Sequence, residues 1–179
     1  TCSADMLVPS TACCVQHAIG ATKAIAFDIN AACSGFIYAL SIVDAYFQAG
    51  LYKTALIIGA ETMSKLVDWR DRSTCILFGD GAGAVITMAA EQGMIASTQG
   101  SNGNGKDAIV VKSRAIQNPF VAVEPDTDYM QMKGQEIFKF AVKTVPKCIQ
   151  ETLNLAGLSP DDVDLFFLHQ ANARINHQI

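Results

Sequence analysis

Hydrophobic positions along the chain follow two periods, one typical of helices and one typical of strands. Apolar residues at three- and four-residue steps predict helices over residues 11–19, 34–49 and 131–156, with a further helix from residue 171 onward. Gly20 and Gly50 follow the first two helices and are expected to end them. Pro146 lies inside the third helix and predicts a kink there.

Short, continuous apolar runs predict strands between these helices. The run over residues 53–60, KTALIIGA, lacks polar alternation and is typical of a strand buried in a parallel sheet. Together with a strand over 23–29 and the helix over 34–49, it has the length of a βαβ unit. Two further strands are predicted over 93–98 and 163–168, and most of 113–128 is predicted to be loop. This alternation of strands and helices predicts an α/β fold.

Composition excludes several classes of protein. Half of the 179 residues are hydrophobic, 17% are charged and the net charge is −4, which disfavours a disordered chain and a nucleic-acid-binding surface. We expect no membrane span and no signal peptide, because no apolar run is long enough and no charged-then-apolar start is present. The six cysteines and three histidines show no zinc-binding spacing. They predict reduced thiols in a cytoplasmic protein that uses no metal.

Cys33 is the candidate nucleophile. It lies in the segment DINAACSGF, between a predicted strand and a predicted buried helix. Backbone N–H groups at the start of a helix stabilise negative charge, and therefore a thiolate. A buried cysteine selected only for its size is the alternative interpretation of this residue taken alone.

His169 follows the apolar run VDLFFL at another predicted strand-to-helix junction. Ligands of open α/β sheets bind at the carboxyl ends of strands, so this position suits a general base or a donor to an oxyanion. A histidine that only caps the following helix is the alternative. Cys33 and His169 together suggest a Cys/His pair, although their spacing does not establish that they meet.

Two other patterns in the sequence bear on ligand binding. The run FGDGAGA (78–84) leads into a β-like segment and not a helix, so it does not predict a phosphate-binding loop; a tight turn or close backbone packing is expected. Lys139, Lys143 and Lys147 recur on one helix face. They predict either a solvated face or a local basic patch for an anionic partner.

These motifs together resemble the β-ketoacyl-(acyl carrier protein) synthase III family over the whole chain. The segments that carry the resemblance are PSTAC (9–13), AFDINAACSGF (26–36), DRST (71–74), FGDGAGA (78–84), MKGQEIFKFAV (132–142) and HQANARI (169–175).

The resemblance implies a thiolase-like fold, a layered α-β-α-β-α arrangement that would be incomplete at both ends of this chain. Residues 1–90 would belong to the N-terminal half with the nucleophile, and residues 91–179 to the C-terminal half with the histidine. It further implies a cytoplasmic homodimer that condenses a short acyl-CoA, typically acetyl-CoA, with malonyl-(acyl carrier protein) to start fatty acid synthesis. No cofactor is expected, since acyl-CoA is a substrate, and neither nucleic acid nor membrane is an expected partner.

The resemblance also assigns roles to individual residues. Cys33 would carry the acyl group, and His169 would stabilise the enolate formed by decarboxylation. Residues expected to bind substrate are Arg72 at the nucleotide end of CoA, Phe78 at the acyl pocket, and Gly134, Gln135 and Asn172 along the pantetheine tunnel. Lys139 and Arg174 would dock the acidic carrier protein.

Two departures leave alternatives open. Val8 stands where the family often has Phe, so the preferred acyl chain is undetermined. The family's catalytic Asn, in a Gly-Asn-Thr-Ser segment, does not occur within these 179 residues, which predicts that the chain alone is inactive. A synthase III-type acyltransferase of secondary metabolism and a non-catalytic, degenerate homologue are the alternatives.

Overall fold

The structure, a computed structural model, describes residues 1–113, 118–121 and 129–179. These residues form two compact units. The first comprises Thr1–Met63 and Gly79–Met94, and the second comprises Ser64–Phe78 and Ile95–Ile179. The predicted boundary between the two halves lies after residue 90. In the structure, the boundary between the units lies after residue 94, and residues 64–78 belong to the second unit. The division into homologous halves stays a prediction.

The helices predicted from three- and four-residue periodicity are present. Gly50 and Gly157 have φ of +68°, the left-handed conformation in which glycine ends a helix at little cost. The long helix continues through Pro146, and the helix predicted from residue 171 is a single turn. The helices are α1 (Thr11–Ala18), α2 (Gly35–Gln48), α3 (Arg72–Cys75), α4 (Gly134–Ala156) and α5 (Ala173–Asn176). Among the described residues, no helix has both the length and the hydropathy to cross a membrane.

Among the residues that the structure describes, four strands form two antiparallel pairs. β1 (Thr54–Thr62) pairs with β2 (Asp80–Met88) along its full length, from Thr54 opposite Met88 to Thr62 opposite Asp80. β3 (Ile109–Val110) pairs with β4 (Gln131–Met132) in the second unit. The glycine-rich run therefore lies mostly within β2 and is not a tight turn. The close backbone packing that was the other expectation is not seen either, since a Cβ at Gly79, Gly81 or Gly83 would meet no described atom within 4 Å. The strand that it forms agrees with the exclusion of a phosphate-binding loop.

Several strand predictions were wrong. Residues 23–29, 93–98 and 163–168 form no ladder with the described chain, and β1 pairs antiparallel with β2, so no βαβ unit forms. Hydrophobicity indicates that a segment is extended and buried, but it does not specify a hydrogen-bonding partner. Residues 24–29 and β1 instead both line a cavity of about 290 Å³, together with α1 and α2. The predicted loop over 113–128 lies mostly outside the described residues.

Much apolar surface is left open. The three segments that form no ladder contribute strongly, and Phe167 is 90% exposed. Fully packed hydrophobic residues are few: Ile57 in the first unit, and Val67, Met130 and Leu153 in the second.

Asp28 anchors the segment before Cys33 to α1. Its carboxylate accepts hydrogen bonds from the backbone N–H groups of Thr11 and Ala12, both at 2.8 Å, while Ser10 Oγ accepts one from Cys13. These are the N–H groups that the first turn of a helix leaves without partners. Partial burial opposes ionisation, but the bonds from Ala12 and Thr11 prevail, so the pKa of Asp28 lies below its usual 3.8.

The second unit is held together mainly along α4. Thr98 contacts this helix through hydrogen bonds to Cys148 and Thr152, the first to the Cys148 carbonyl at 3.3 Å. The backbone N–H of Lys133 donates to the Ala108 carbonyl at 2.8 Å and connects the start of α4 with the residue before β3. α5 packs against α4, which places the HQANAR segment beside the lysine-bearing helix.

We predict that Asp28→Asn lowers the free energy of unfolding by about 1 kcal/mol, because a neutral amide is a weaker acceptor for two helix N–H groups. Urea unfolding measures the loss. The pKa of Asp28 is lowered on folding, so its contribution is present above pH 3.8 and disappears as the pH falls below that value. The difference in the free energy of unfolding between wild type and Asp28→Asn should therefore become smaller in acid. Asp107→Asn, an exposed turn residue, is the control, and equal effects of both variants would contradict the assignment.

Candidate active site

Cys33 lies in a single turn of 3-10 helix, Ala32–Ser34, which leads directly into α2. The backbone N–H of Ser34 donates to the Ala31 carbonyl at 3.1 Å and closes the turn. Ala32 has φ of +45°, a left-handed conformation that costs an alanine about 1–2 kcal/mol. Strained backbone of this kind is concentrated at functional sites, where the surrounding structure maintains it. Here it presents the Cys33 thiol at the surface, where the thiol is exposed.

The start of α2 is positioned by β1. A Cβ on Gly59 would lie 3.6 Å from Cδ2 of Phe36, so the ring of Phe36 rests against the strand where a side chain is absent. Phe36 is three residues after Cys33, close to one helical turn. The position of Cys33 therefore depends on the packing of α2 on β1.

Glu61 is a residue of this site that the sequence did not single out. It lies near the end of β1, and its carboxylate accepts hydrogen bonds from the Cys2 backbone N–H at 2.9 Å and from the hydroxyl of buried Ser3. Burial opposes ionisation, but the bonds from Ser3 and Cys2 prevail, so the pKa of Glu61 is lowered. The signal in the sequence was a lone carboxylate at the end of an apolar strand, which is also common at ordinary strand ends.

His169 follows the segment 163–168 in the second unit and is exposed. Asn172, three residues later, is the N-cap of α5, and its side-chain oxygen accepts a hydrogen bond from the Arg174 N–H at 2.9 Å. Asn172 thus has a local structural role besides the predicted role in substrate binding. The turn between the two residues is closed by Gln170, whose side-chain amide donates to the Leu168 carbonyl at 3.2 Å.

Arg72 is the first residue of α3, and Phe78 follows this helix. Arg72 is exposed, and Phe78 is half-buried. Asp71 is the N-cap: its carboxylate accepts from the N–H and hydroxyl of Ser73 and from the Thr74 hydroxyl, and these bonds lower the pKa of Asp71. Nearby, Arg70 forms a fork-like ion pair with Asp68 at 2.9–3.0 Å. The guanidinium of Arg72 makes no such pair with any residue that the structure describes.

The remaining predicted residues lie on α4 and α5. Gly134 and Gln135 open α4 and are exposed, as are Lys139 on α4 and Arg174 on α5. Lys133, just before α4, pairs with Glu136 at 3.8 Å, so its charge is partly compensated. Lys139, Lys143 and Lys147 are all exposed, at four-residue steps.

The structure thus assigns the predicted residues to different units. Cys33 belongs to the first unit. All of the others, including His169, belong to the second. A Cys33–His169 pair stays a prediction, as do the substrate-binding and docking roles. Within the described ranges, no group of three His, Cys, Asp or Glu side chains could hold a metal ion.

The left-handed conformation of Ala32 is testable by substitution. We expect Ala32→Gly to be more stable than Ala32→Val by about 1–2 kcal/mol in urea unfolding, since only glycine adopts this φ without strain. Ala31, with φ of −139°, provides the matched pair, and there the valine variant should be at least as stable as the glycine variant. The same order at both positions would contradict the strained turn.

Known proteins match this chain along nearly all of its length. The family model for 3-oxoacyl-(acyl-carrier-protein (ACP)) synthase III matches residues 27–103. The β-ketoacyl-(acyl-carrier-protein) synthase III of Clostridium novyi is 46% identical over 177 residues, which are 98% of this chain and 55% of that protein. The chain thus spans about half the length of the curated relatives that it matches.

Solved structures agree. The crystal structure of 3-oxoacyl-(acyl-carrier-protein) synthase III from Aquifex aeolicus superposes with a TM-score of 0.86 at 42% identity, covering 97% of this chain and 53% of that one. A priming β-ketosynthase of the R1128 polyketide pathway superposes at 0.85 with 31% identity, covering 98% and 53%. The extent and identity of these matches lead to one conclusion: over the length that it covers, this chain has a thiolase-like fold and belongs to the β-ketoacyl-(acyl carrier protein) synthase III family.

Proposed function

We propose that the protein containing this chain is an acyltransferase that condenses a short acyl-CoA, most simply acetyl-CoA, with malonyl-(acyl carrier protein) and so starts fatty acid synthesis. The observation that carries the proposal is the exposed Cys33 on its strained turn at the start of α2, in a chain of this family. A thiolate is both a good nucleophile and a good leaving group, which suits a reaction that loads and then releases an acyl group.

In the first half of the proposed reaction, the Cys33 thiolate attacks the thioester carbonyl of acyl-CoA. A bond forms between the Cys33 sulfur and the acyl carbon, and the bond from that carbon to the CoA sulfur breaks. CoA leaves as a thiolate that takes a proton.

In the second half, malonyl-(acyl carrier protein) loses CO₂, and the electron pair of the broken C–C bond forms an enolate. We assign to His169 the donation of an N–H hydrogen bond to the enolate oxygen. The carbanion attacks the acyl-Cys33 carbonyl and expels the Cys33 thiolate, which completes the β-ketoacyl product. Decarboxylation itself supplies the carbanion, so the proposal uses no cofactor.

Substrate contacts in the proposal follow the placement of the side chains. The exposed guanidinium of Arg72 suits the phosphates and nucleotide of CoA, and half-buried Phe78 suits an apolar pocket wall. Gly134, Gln135 and Asn172 are assigned to the pantetheine path. We further propose that the protein works as a homodimer, and the exposed apolar surface supports this part of the proposal. The proposed location is the cytoplasm.

A second candidate function is a synthase III-type acyltransferase of secondary metabolism. The structural match to the R1128 priming β-ketosynthase favours it. Both functions use the same acyl-Cys33 chemistry and differ in the acyl donor and the carrier. Comparing turnover with acetyl-CoA against longer or branched acyl-CoA donors separates them, since a starter enzyme of fatty acid synthesis should prefer the short donors.

The proposed nucleophile predicts a specific labelling pattern. Iodoacetamide should alkylate Cys33, Cys13 and Cys14, the three exposed thiols, and prior incubation of the protein with acetyl-CoA should protect Cys33 alone. Peptide mass spectrometry assigns each site. Cys13 and Cys14 are the internal controls, and a Cys33 that labels equally with and without acetyl-CoA would favour a non-catalytic homologue.

The basic patch predicts how the carrier binds. We expect Lys139→Glu and Arg174→Glu each to weaken binding of acyl carrier protein about tenfold at low salt, with a shallower salt dependence, because each reversal removes attraction to an acidic partner. Titration with labelled carrier protein measures the affinity. Lys53→Glu, an exposed lysine of the first unit, is the control. An equal loss of affinity in all three charge-reversal variants would contradict a local docking patch and show that binding depends only on net charge.

A further inference from the structure

Cys2 is a second thiol that the structure holds close to the turn bearing Cys33. It is half-buried, and its position is determined by two hydrogen bonds to the carboxylate of Glu61: its backbone N–H donates at 2.9 Å and its Sγ–H donates at 3.4 Å. Neither the resemblance nor the proposed reaction gives Cys2 any role.

Two independent paths connect the segment bearing Cys2 with the Cys33 turn. Along the first, the Thr1 nitrogen donates to the Ile29 carbonyl at 3.4 Å, and the chain then needs only four residues to reach Cys33. Two of those four residues, Ala32 and Cys33, lie in the turn that the hydrogen bond from Ser34 to Ala31 closes, so they span a short distance. The N-terminal residues therefore lie alongside the segment that ends in the nucleophile.

The second path runs through β1. Glu61, the partner of Cys2, is two residues after Gly59, and residues two apart point to the same face of a strand. Gly59 contacts Phe36 in the first turn of α2, as described above. Both paths belong to the first unit, so the placement depends on no contact with the second.

Electrostatics agree with this placement. Burial is the largest cause of a raised pKa at the Cys2 thiol, followed by the negative charge of Glu61, and the charge of Cys33 raises it further. At neutral pH, Cys2 is accordingly kept as a thiol and does not compete with Cys33 for electrophiles.

We propose that Cys2 is the resolving partner of Cys33 under oxidative conditions, so that a peroxide converts the pair into a reversible Cys2–Cys33 disulfide. In the first step, the Cys33 thiolate attacks a peroxide oxygen; an S–O bond forms, the O–O bond breaks, and hydroxide leaves. In the second, the Glu61 carboxylate accepts the Sγ proton of Cys2, the Cys2 sulfur attacks the Cys33 sulfur, the S–O bond breaks, and the leaving hydroxide takes that proton to form water. Overall, two thiols and one hydrogen peroxide give one disulfide and two waters.

The disulfide would protect the nucleophile from irreversible oxidation. A sulfenic acid that meets no second thiol goes on to sulfinic acid, which thiol reductants do not reverse. A disulfide is restored by a dithiol, and Cys33 would recover its free thiol. The proposal rests on the assignment of Cys33 as the reactive thiol in the proposed function.

The experiment uses the 179-residue chain, hydrogen peroxide and digestion before aspartate. Cleavage at Asp5, Asp28 and Asp44 separates Cys2, in residues 1–4, from Cys33, in residues 28–43, while Cys13 and Cys14 remain in residues 5–27. We expect a disulfide-linked pair of peptides 1–4 and 28–43 that dithiothreitol separates. In Cys2→Ser, the pair should be lost, and trapping of Cys33 sulfenic acid by dimedone should rise about tenfold. Cys14→Ser, an exposed thiol of the same unit, should behave as wild type.

The outcomes separate the two proposals. Dimedone trapping at Cys33 that is equal in wild type and Cys2→Ser, with no linked peptide, would overturn the role of Cys2 and leave the nucleophile intact. Linkage of peptide 28–43 to peptide 5–27 would overturn it as well, because Cys13 or Cys14 would then be the partner. A Cys33 that reacts with neither peroxide nor iodoacetamide would instead contradict the proposed function.

Discussion

Two carboxylates that accept backbone N–H groups determine the architecture around Cys33. Asp28 accepts hydrogen bonds from the backbone N–H groups of Thr11 and Ala12 at the start of α1. Glu61 accepts hydrogen bonds from the Cys2 backbone N–H and the Ser3 hydroxyl. Each joins a segment distant in sequence to a strand or pre-helix segment beside the nucleophile. In both, hydrogen bonding outweighs the cost of burying the charge, which the lowered pKa of each group reflects. Neither carboxylate needs to touch a substrate to matter, since together they determine where the turn with the strained Ala32 lies.

The predicted nucleophile and the predicted substrate contacts lie on different kinds of structural element. The nucleophile lies on a short turn between an extended segment and a helix that packs on a strand, whereas the predicted substrate contacts come from one-turn helices and exposed helix faces. A covalent step requires a sulfur held in one geometry, and docking of a carrier requires only charge at the surface. Asn172 has one observed role, the N-cap of α5, beside its predicted role in substrate binding.

The sequence predicted the longer helices and the place of Cys33 just before α2, because periodicity and helix-ending glycines act locally. The helix α2 was expected to be buried, and none of its residues is. α1, α2 and α4 lie where expected, and Gly50 adopts the left-handed conformation. The strands were harder to predict, since a ladder depends on a partner elsewhere in the chain. Residues 163–168 have every local feature of a strand and still form none with the described residues. The pairing of Glu61 with Cys2 was not predictable for a related reason, because it is a contact between residues about 60 positions apart in the sequence.

The extended segment before His169 has a consequence for handling the protein. Leu165, Phe166 and Phe167 are apolar and exposed, and their backbone forms no strand ladder with the described chain. Such a segment is a template for strand addition between molecules, which proteins usually avoid with charges or prolines at an edge. Asp164 is the nearest charge, and it stands at one end only. Self-association through this edge would therefore set the concentration at which the chain stays in solution, and it would do so beside the predicted catalytic histidine.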